Sequence, residues 1–301
     1  MMQISDNMRG AALMVGAMVA FTINDAFMKG LAGEIPLFQA LFVRGVVTVI
    51  CLVILAYFLR QLDFRQSKRD WGMILLRAAA EVGGAYFFIT ALFNMPIANA
   101  SAILQALPLT VALGGAIFLR EALGWRRVLA IVIGFAGVML IVQPGSDGFN
   151  IYSISALLAV VCVTVRDLVV RRMSRCVPSV FVALVAAFFV MLTGAVVTAT
   201  QTWAPVDLNA GLLLLGSAAF VVFGYVFSVA AMRLGELGFV AQFRYSSLIA
   251  ALILGYLVFG DWPRNITLLG AFIVVATGMF TLYREQVAAK RLRKLSQSAP
   301  H

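Results

Sequence analysis

The chain has 301 residues, of which 62% are hydrophobic and only 12% charged, and its formal net charge is +10. Soluble domains are about 45–50% apolar and roughly 25% charged, so a single core wrapped in an aqueous surface is excluded. The basic residues are scattered over short segments with no interleaved aromatic platform, which excludes nucleic acid as the partner.

Ten apolar runs follow one another along the chain, at 9–28, 36–59, 71–93, 97–119, 127–143, 151–170, 177–200, 209–232, 237–260 and 265–283. A bilayer core about 30 Å thick takes roughly 20 helical residues. Backbone in hydrocarbon must satisfy its own hydrogen bonds, so each run is expected to be a helix. No period-2 alternation is visible, which argues against a β-barrel. The expected fold is therefore an all-α polytopic membrane protein with ten transmembrane helices, and the lipid bilayer is its first partner.

Positive charge sets the expected orientation. If the N-terminus is inside, the inner segments hold 17 Lys and Arg residues and the outer segments hold only Lys29 and Arg264. That asymmetry predicts that both termini are cytoplasmic. The first run is expected to be retained rather than cleaved as a signal peptide. Cys51, Cys162 and Cys176 lie in or beside apolar runs without metal-ligand spacing and read as buried small hydrophobes. The sole histidine is His301, which argues against a His-ligated metal or a Ser-His-Asp site.

The chain repeats itself. At an offset of about 142, Thr22 falls on Thr164, Asp25 on Asp167, Lys29 on Arg171 and Pro36 on Pro178. At 140, Gln105 falls on Tyr245, Glu121 on Asp261 and Ala130 on Gly270. Two five-helix units are expected, at 9–143 and 151–284, followed by a basic cytoplasmic tail at 285–301. Five is odd, so the second unit enters the membrane from the opposite side. Inverted repeats of this kind commonly build alternating-access carriers with a site near the midplane. The short breaks after the third and eighth runs further predict rigid antiparallel hairpins, 3 with 4 and 8 with 9, that rock against the other helices.

Residues 91–142 carry an alanine-serine stretch, a Leu-Pro, an apolar run with an acidic cap and a glycine-bearing helix. This segment resembles the second half of an EamA domain. LFVRGV at 41–46 is similar to that domain's arginine-bearing second helix, and residues 237–280 repeat the pattern. The resemblance covers roughly residues 10–284 and implies the drug/metabolite transporter superfamily, as a ten-helix exporter with two EamA domains. It implies a multi-pass carrier of the bacterial cytoplasmic (inner) membrane, with a small-molecule substrate and no cofactor. The second acidic cap here is Asp261, and Pro108 of the fourth run has Leu248 as its mate.

Ionisable groups in a span cost about 2.5–3.5 kcal/mol each on insertion scales, so they mark partners or pathways. Asp25, Arg44, Arg77, Glu81, Arg166, Asp167 and Arg244 are such groups. Glu81 is roughly 15 Å into its helix at about 1.5 Å per residue. Either it neutralises an arginine and ties helices together, or it exchanges protons and couples transport to them. Arg44 and Arg244 lie deep in their runs, and with Glu81 they favour a solute that bears a carboxylate. Ser101, Gln105, Gln242 and Tyr245 are polar groups at matching depth, and Tyr86 and Tyr225 add amphipathic aromatics. Such a pocket suits a small organic molecule. The competing role for each is a helix–helix hydrogen bond. Asp25 and Asp167, with Asn24 and Arg166 beside them, are expected at the two mouths, where Lys29 and Arg171 stand four residues on. They are the candidate gating residues. Glycines at 83–84, 114–115, 134, 137 and 270 are expected to serve packing.

The expected function is export of small metabolites, amino acids first, by alternating access with possible proton coupling. Uptake of a nucleoside-like or cationic metabolite, drug efflux, and a structural or receptor role are the alternatives. No nucleophile-base set or metal cluster is visible, so no enzyme activity is expected.

Overall fold

A computed structural model describes residues 6–297, except 121–123, 146–148, 175 and 235–236. The described residues form helices and connecting turns, with no strand. In chain order the helices are α1 (Asp6–Gly30), α2 (Leu37–Phe58), α3 (Lys68–Asn94), α4 (Ile97–Leu104), α5 (Leu107–Leu119), α6 (Trp125–Val142), α7 (Tyr152–Arg172), α8 (Ser179–Thr198), α9 (Leu208–Leu234), α10 (Leu237–Ala241), α11 (Ser246–Phe259) and α12 (Asn265–Gln297). A 3-10 turn, Gln242–Tyr245, joins α10 to α11. Ten spans are long and apolar enough to cross a membrane. They match the ten runs, with the fourth made of α4 and α5 and the ninth of α10, the 3-10 turn and α11.

The helix boundaries have local causes. Pro36, Pro96 and Pro178 stand immediately before α2, α4 and α8, where a missing N–H costs nothing and a fixed φ leads into the helix. Ser67 caps α3 by accepting from the Asp70 amide. α5 and α11 end alike, on left-handed residues 140 positions apart. One is Arg120 at φ 56° and the other is Gly260 at φ 68°. Glu121, the expected acidic cap beside Arg120, lies outside the described residues. The region read as a basic tail begins as a continuation of α12, which runs without a break to Gln297.

Packing follows a two-fold pattern. α1 lies against α9 and α3 against α7, and each pair joins one repeat to the other. α2 pairs with its mate α8, and α6 with its mate α12. α1 touches α11 as α7 touches α5 and α4. The largest buried cluster sits among α4, α5, α6, α7, α11 and α12, around Ile103, Leu109, Val160 and Val274.

This pattern corrects one expectation. α3 does not form a hairpin with α4; it packs mainly on α7 and α8 of the other repeat, and α9 packs on α1 rather than α10. A short connection fixes where a helix starts, whereas the small residues along it decide what it packs on. A Cβ on Gly84 would stand 3.3 Å from Val163, and one on Gly83 would stand 3.0 Å from the Cys162 sulfur. These glycines therefore set the α3–α7 approach. Gly137 and Gly270 do the same for α6 and α12, each facing the other's carbonyl oxygen. The cysteines are less enclosed than expected, because Cys51 and Cys162 are half-buried and Cys176 is exposed.

Candidate functional site

The polar groups of the spans gather between the repeats. On α1, the Asn24 amide nitrogen donates to Asp25 Oδ1 at 2.9 Å. Its carbonyl oxygen accepts from Arg44 Nη1 of α2 at 3.2 Å and from Ser217 Oγ of α9 at 2.7 Å. Asn24 thus spends both ends of its side chain on three helices. It is buried, at 4% exposure, and satisfied, as a buried amide must be.

The mate of Asn24 is Arg166 on α7. Its Nε donates to Asp167 Oδ1 at 2.9 Å, the same i to i+1 bond at the same length. Its Nη1 reaches Glu81 on α3 at 3.2 Å. Glu81 also meets Arg77 Nη2 at 3.7 Å, and Arg77 donates from Nη1 to the Val182 carbonyl of α8 at 3.3 Å. Arg77 is held inward by these two contacts.

Asp25 and Asp167 were expected to stand apart at two mouths, away from Glu81 and Arg44. The structure instead joins them into one cluster. Arg44 lies in electrostatic reach of Asp25, Glu81 and Tyr225, and Arg244 in reach of Asp167 and Arg166. The cause is that α1 packs on α9 and α7 on α3, which sets both aspartates among the arginines of the spans. Lys29 does not close back on Asp25. Its ammonium donates to the Met95 carbonyl at 2.7 Å and lies over the Phe259 ring.

The cluster is not sealed. The side chains of Glu81, Arg166 and Asp167 keep 17%, 23% and 27% exposure, and Arg244 is exposed. Groups drawn from α1, α2, α3, α7 and the 3-10 turn cannot all face lipid while remaining within reach of one another. Their exposure is therefore to a shared opening.

Two helix breaks meet beside it. Pro108 has no amide hydrogen to offer the Leu104 carbonyl, and the fourth span breaks at Gln105–Ala106, between α4 and α5. The ninth span breaks at the 3-10 turn, although Leu248 stands in the proline's place. There Ser246 Oγ donates to the Phe243 carbonyl at 2.7 Å and Ser247 Oγ to the Arg244 carbonyl at 3.0 Å. Serine back-bonding of this kind tightens a turn. Gln105 Nε2 then donates to Ser247 Oγ at 2.8 Å, tying one break to the other. Threonine mates flank them. Thr22 reaches the Ser247 carbonyl at 3.5 Å, and Thr164 bonds Thr110 at 2.6 Å.

The structure thus brings together Asn24, Asp25, Arg44, Glu81, Tyr225, Arg166, Asp167 and Arg244, with Gln105 joined through Ser247. Tyr225 packs edge-on against Phe21 and faces the charges of Glu81 and Arg166. Two other expected site residues turn elsewhere. Tyr245 is buried with its hydroxyl against Gly278 of α12, and Tyr86 stacks on Phe38 of α2 at 5.5 Å. Ser101 is buried within α4, and Gln242 is half-buried on the 3-10 turn. Ser217 and Ser247 were missed. Ser217 could have been found, since it is the mate of Arg77 at an offset of 140; Ser247 offers only its place beside Ser246. Among the described residues, no group of three His, Cys, Asp or Glu side chains is placed to hold a metal.

Known proteins resemble this chain. The chain is 29% identical over 298 residues to a riboflavin transporter of Vibrio cholerae, covering 96% of this chain and 98% of that protein. It is 24% identical to an S-adenosylmethionine uptake transporter of Rickettsia conorii, covering 91% and 92%. A pseudopaline exporter of Pseudomonas aeruginosa is 23% identical, over 88% and 93%. A solved crystal structure matches with a TM-score of 0.62 at 20% identity, covering 94% of this chain and 98% of that one, a likeness of fold alone. The family of EamA-like transporters matches residues 8–143 and again 150–283. Nearly the whole chain is accounted for by those two matches, and the protein belongs to the EamA-like transporter family, as a multi-pass membrane transporter of small molecules and not an enzyme.

Proposed function

We propose that this transporter carries small organic solutes bearing a carboxylate, amino acids first among them, by alternating access around the two-fold axis. One observation carries the solute class. Arg44, Arg77 and Arg166 each spend a guanidinium nitrogen on a protein acceptor, whereas the exposed Arg244 guanidinium makes no hydrogen bond or ion pair with any described residue. Arginine matches a carboxylate through two parallel N–H donors. The solute carboxylate is assigned to Arg244, with Arg44, Tyr225 and Gln105 lining the remainder. Glu81 holds α3 to α7 through Arg166.

The two breaks supply the moving part. Arg244 belongs to the 3-10 turn whose carbonyl holds Ser247, and Ser247 holds Gln105. A solute that engages Arg244 therefore acts on the bond between the breaks. The excess of Lys and Arg in alternate loops supports cytoplasmic termini, and the bacterial relatives support the cytoplasmic membrane. Relatives named for uptake and for export align almost equally with this chain, so solute and ion gradients set the direction.

A second reading has its own support. Tyr225 and Phe21 put aromatic faces beside the cluster, and a relative at 29% identity is named for riboflavin. Uptake of a flat ring-bearing metabolite is the alternative solute class. The experiment is counterflow in liposomes with labelled protein amino acids, riboflavin and S-adenosylmethionine. Amino-acid counterflow is expected, with Arg244→Gln lowering it at least tenfold, about the worth of one charge-assisted hydrogen bond. Counterflow of riboflavin alone would replace the first reading with the second.

A further inference from the structure

The cluster holds three carboxylates, and they are not equivalent. Glu81 receives Arg166 at 3.2 Å and Arg77 at 3.7 Å. Asp167 receives Arg166 at 2.9 Å. Asp25 receives only the neutral amide of Asn24 at 2.9 Å. Arg44, the arginine within its reach, has turned Nη1 to the Asn24 oxygen instead, at 3.2 Å. The other titratable and charged groups on the elements packed against α1 include Tyr225 on α9, Glu81 and Arg77 on α3, Arg244 and Tyr245 on the 3-10 turn, Tyr256 on α11 and, just beyond α11, Asp261, which lies in electrostatic reach of Lys29. On α1 itself, Lys29 is spent on the carbonyls of Leu92 and Met95. Asp25 is therefore the one described acid of the cluster without an ion pair.

We propose that Asp25 is the proton-exchanging group of this carrier and that its proton travels with the solute carboxylate. This rests on the carboxylate reading above. An ionised carboxylate without an ion pair is costly in a span, and a bound proton removes that cost. The charge balance links proton to solute. Arg44, Arg77, Arg166 and Arg244 stand against Asp25, Glu81 and Asp167, which leaves one positive charge, or two once Asp25 holds a proton. The protonated cluster is the better host for a carboxylate. In one cycle a proton binds an Asp25 oxygen and the solute carboxylate binds Arg244 from the same face. Both leave from the other face, and no bond of the solute is made or broken. Asn24 supports the exchange by donating to Asp25 while its own oxygen is fixed by Arg44 and Ser217. In the second repeat that donor is Arg166, which gives Asp167 the ion pair that Asp25 lacks, so the mate of Asp25 does not share its role.

The test uses proteoliposomes with the labelled amino acids named above and entrapped pyranine as the proton probe. Wild-type protein is expected to show counterflow without a pH gradient, and accumulation with lumenal acidification under an acid-outside gradient. In Asp25→Asn, counterflow persists, accumulation is lost and pyranine stays flat. In Asp25→Glu, proton-driven accumulation persists with its pH midpoint displaced. Accumulation in Asp25→Asn equal to wild type overturns the proposal. So does wild-type counterflow without proton movement, or an unmoved midpoint in Asp25→Glu. Absence of wild-type amino-acid counterflow removes the carboxylate reading instead, which separates the two failures.

Discussion

Two of the bridges between the repeats differ in kind. Asn24 joins α1 to α9 through Ser217 at 2.7 Å, without charge in the bridging pair. Arg166 joins α7 to α3 through Glu81 at 3.2 Å, with a full ion pair. Both donors also bond the aspartate that follows them, at 2.9 Å in each case. The duplicated fold thus keeps where the helices meet and which neighbour each donor holds, while the side chains that close the contact have diverged. A neutral hydrogen bond between spans is worth about 0.6 kcal/mol on average. Removing one partner of a buried ion pair costs about 3–5 kcal/mol, because the other charge is stranded.

The largest effect is therefore expected at Glu81. Glu81→Gln leaves Arg77 without its carboxylate and Arg166 with Asp167 alone. A loss of about 3–5 kcal/mol is expected, read as a lower melting temperature in detergent and a reduced folded yield. Changing both partners, Glu81→Gln with Arg166→Asn, gives the second bridge the neutral chemistry of the first. The double variant is expected to be more stable than Glu81→Gln alone, because coupled partners are not additive. Equal or lower stability would show that the ion pair is not what separates the bridges.

Much of this was legible in the sequence, and for physical reasons. Ten apolar runs have one solution in a bilayer, and Asp25 over Asp167 with Pro36 over Pro178 exposes the duplication. The charged members of the cluster could be named because a charge in a span is conspicuous. Their arrangement could not be read. Which helix faces α3 depends on Gly83 and Gly84 meeting α7, and a glycine does not announce its neighbour. Tyr245 matched Gln105 in register, yet its ring turned to the space beside Gly278. Ser217 and Ser247 were overlooked because a lone serine is unremarkable in a membrane helix. Each became significant only through its partner, Asn24 in one case and Gln105 in the other.

The helix breaks repeat the comparison at a smaller scale. A proline breaks the fourth span, and a pair of serines tightens the ninth. A proline cannot be unmade during the cycle, but serine bonds can open and close. Ser246→Ala with Ser247→Ala removes two back-bonds and the acceptor of Gln105. About 1–2 kcal/mol of stability should be lost, at roughly 0.6 kcal/mol for each bond within the membrane, with counterflow falling several-fold. Pro108→Leu places the mate's residue in the fourth span and lets an amide bond the Leu104 carbonyl. It should raise the melting temperature and slow counterflow. If Pro108→Leu speeds transport instead, the rigid break is not the fixed partner of the mobile one.

The smallest effect is expected at Ser217. Its hydroxyl is fully buried and bonds the Asn24 oxygen, but that oxygen keeps Arg44 as a second donor at 3.2 Å. Ser217→Ala therefore leaves no charge stranded and no acceptor bare. About 0.5–1 kcal/mol of stability should be lost, with counterflow within about threefold of wild type, since each 1.4 kcal/mol is a factor of ten. The contrast with Glu81 is the point of the measurement, since the two side chains close symmetry-related contacts. If Ser217→Ala is as damaging as Glu81→Gln, stability at these contacts comes from helix approach rather than from charge. The difference between the bridges would then lie in transport alone.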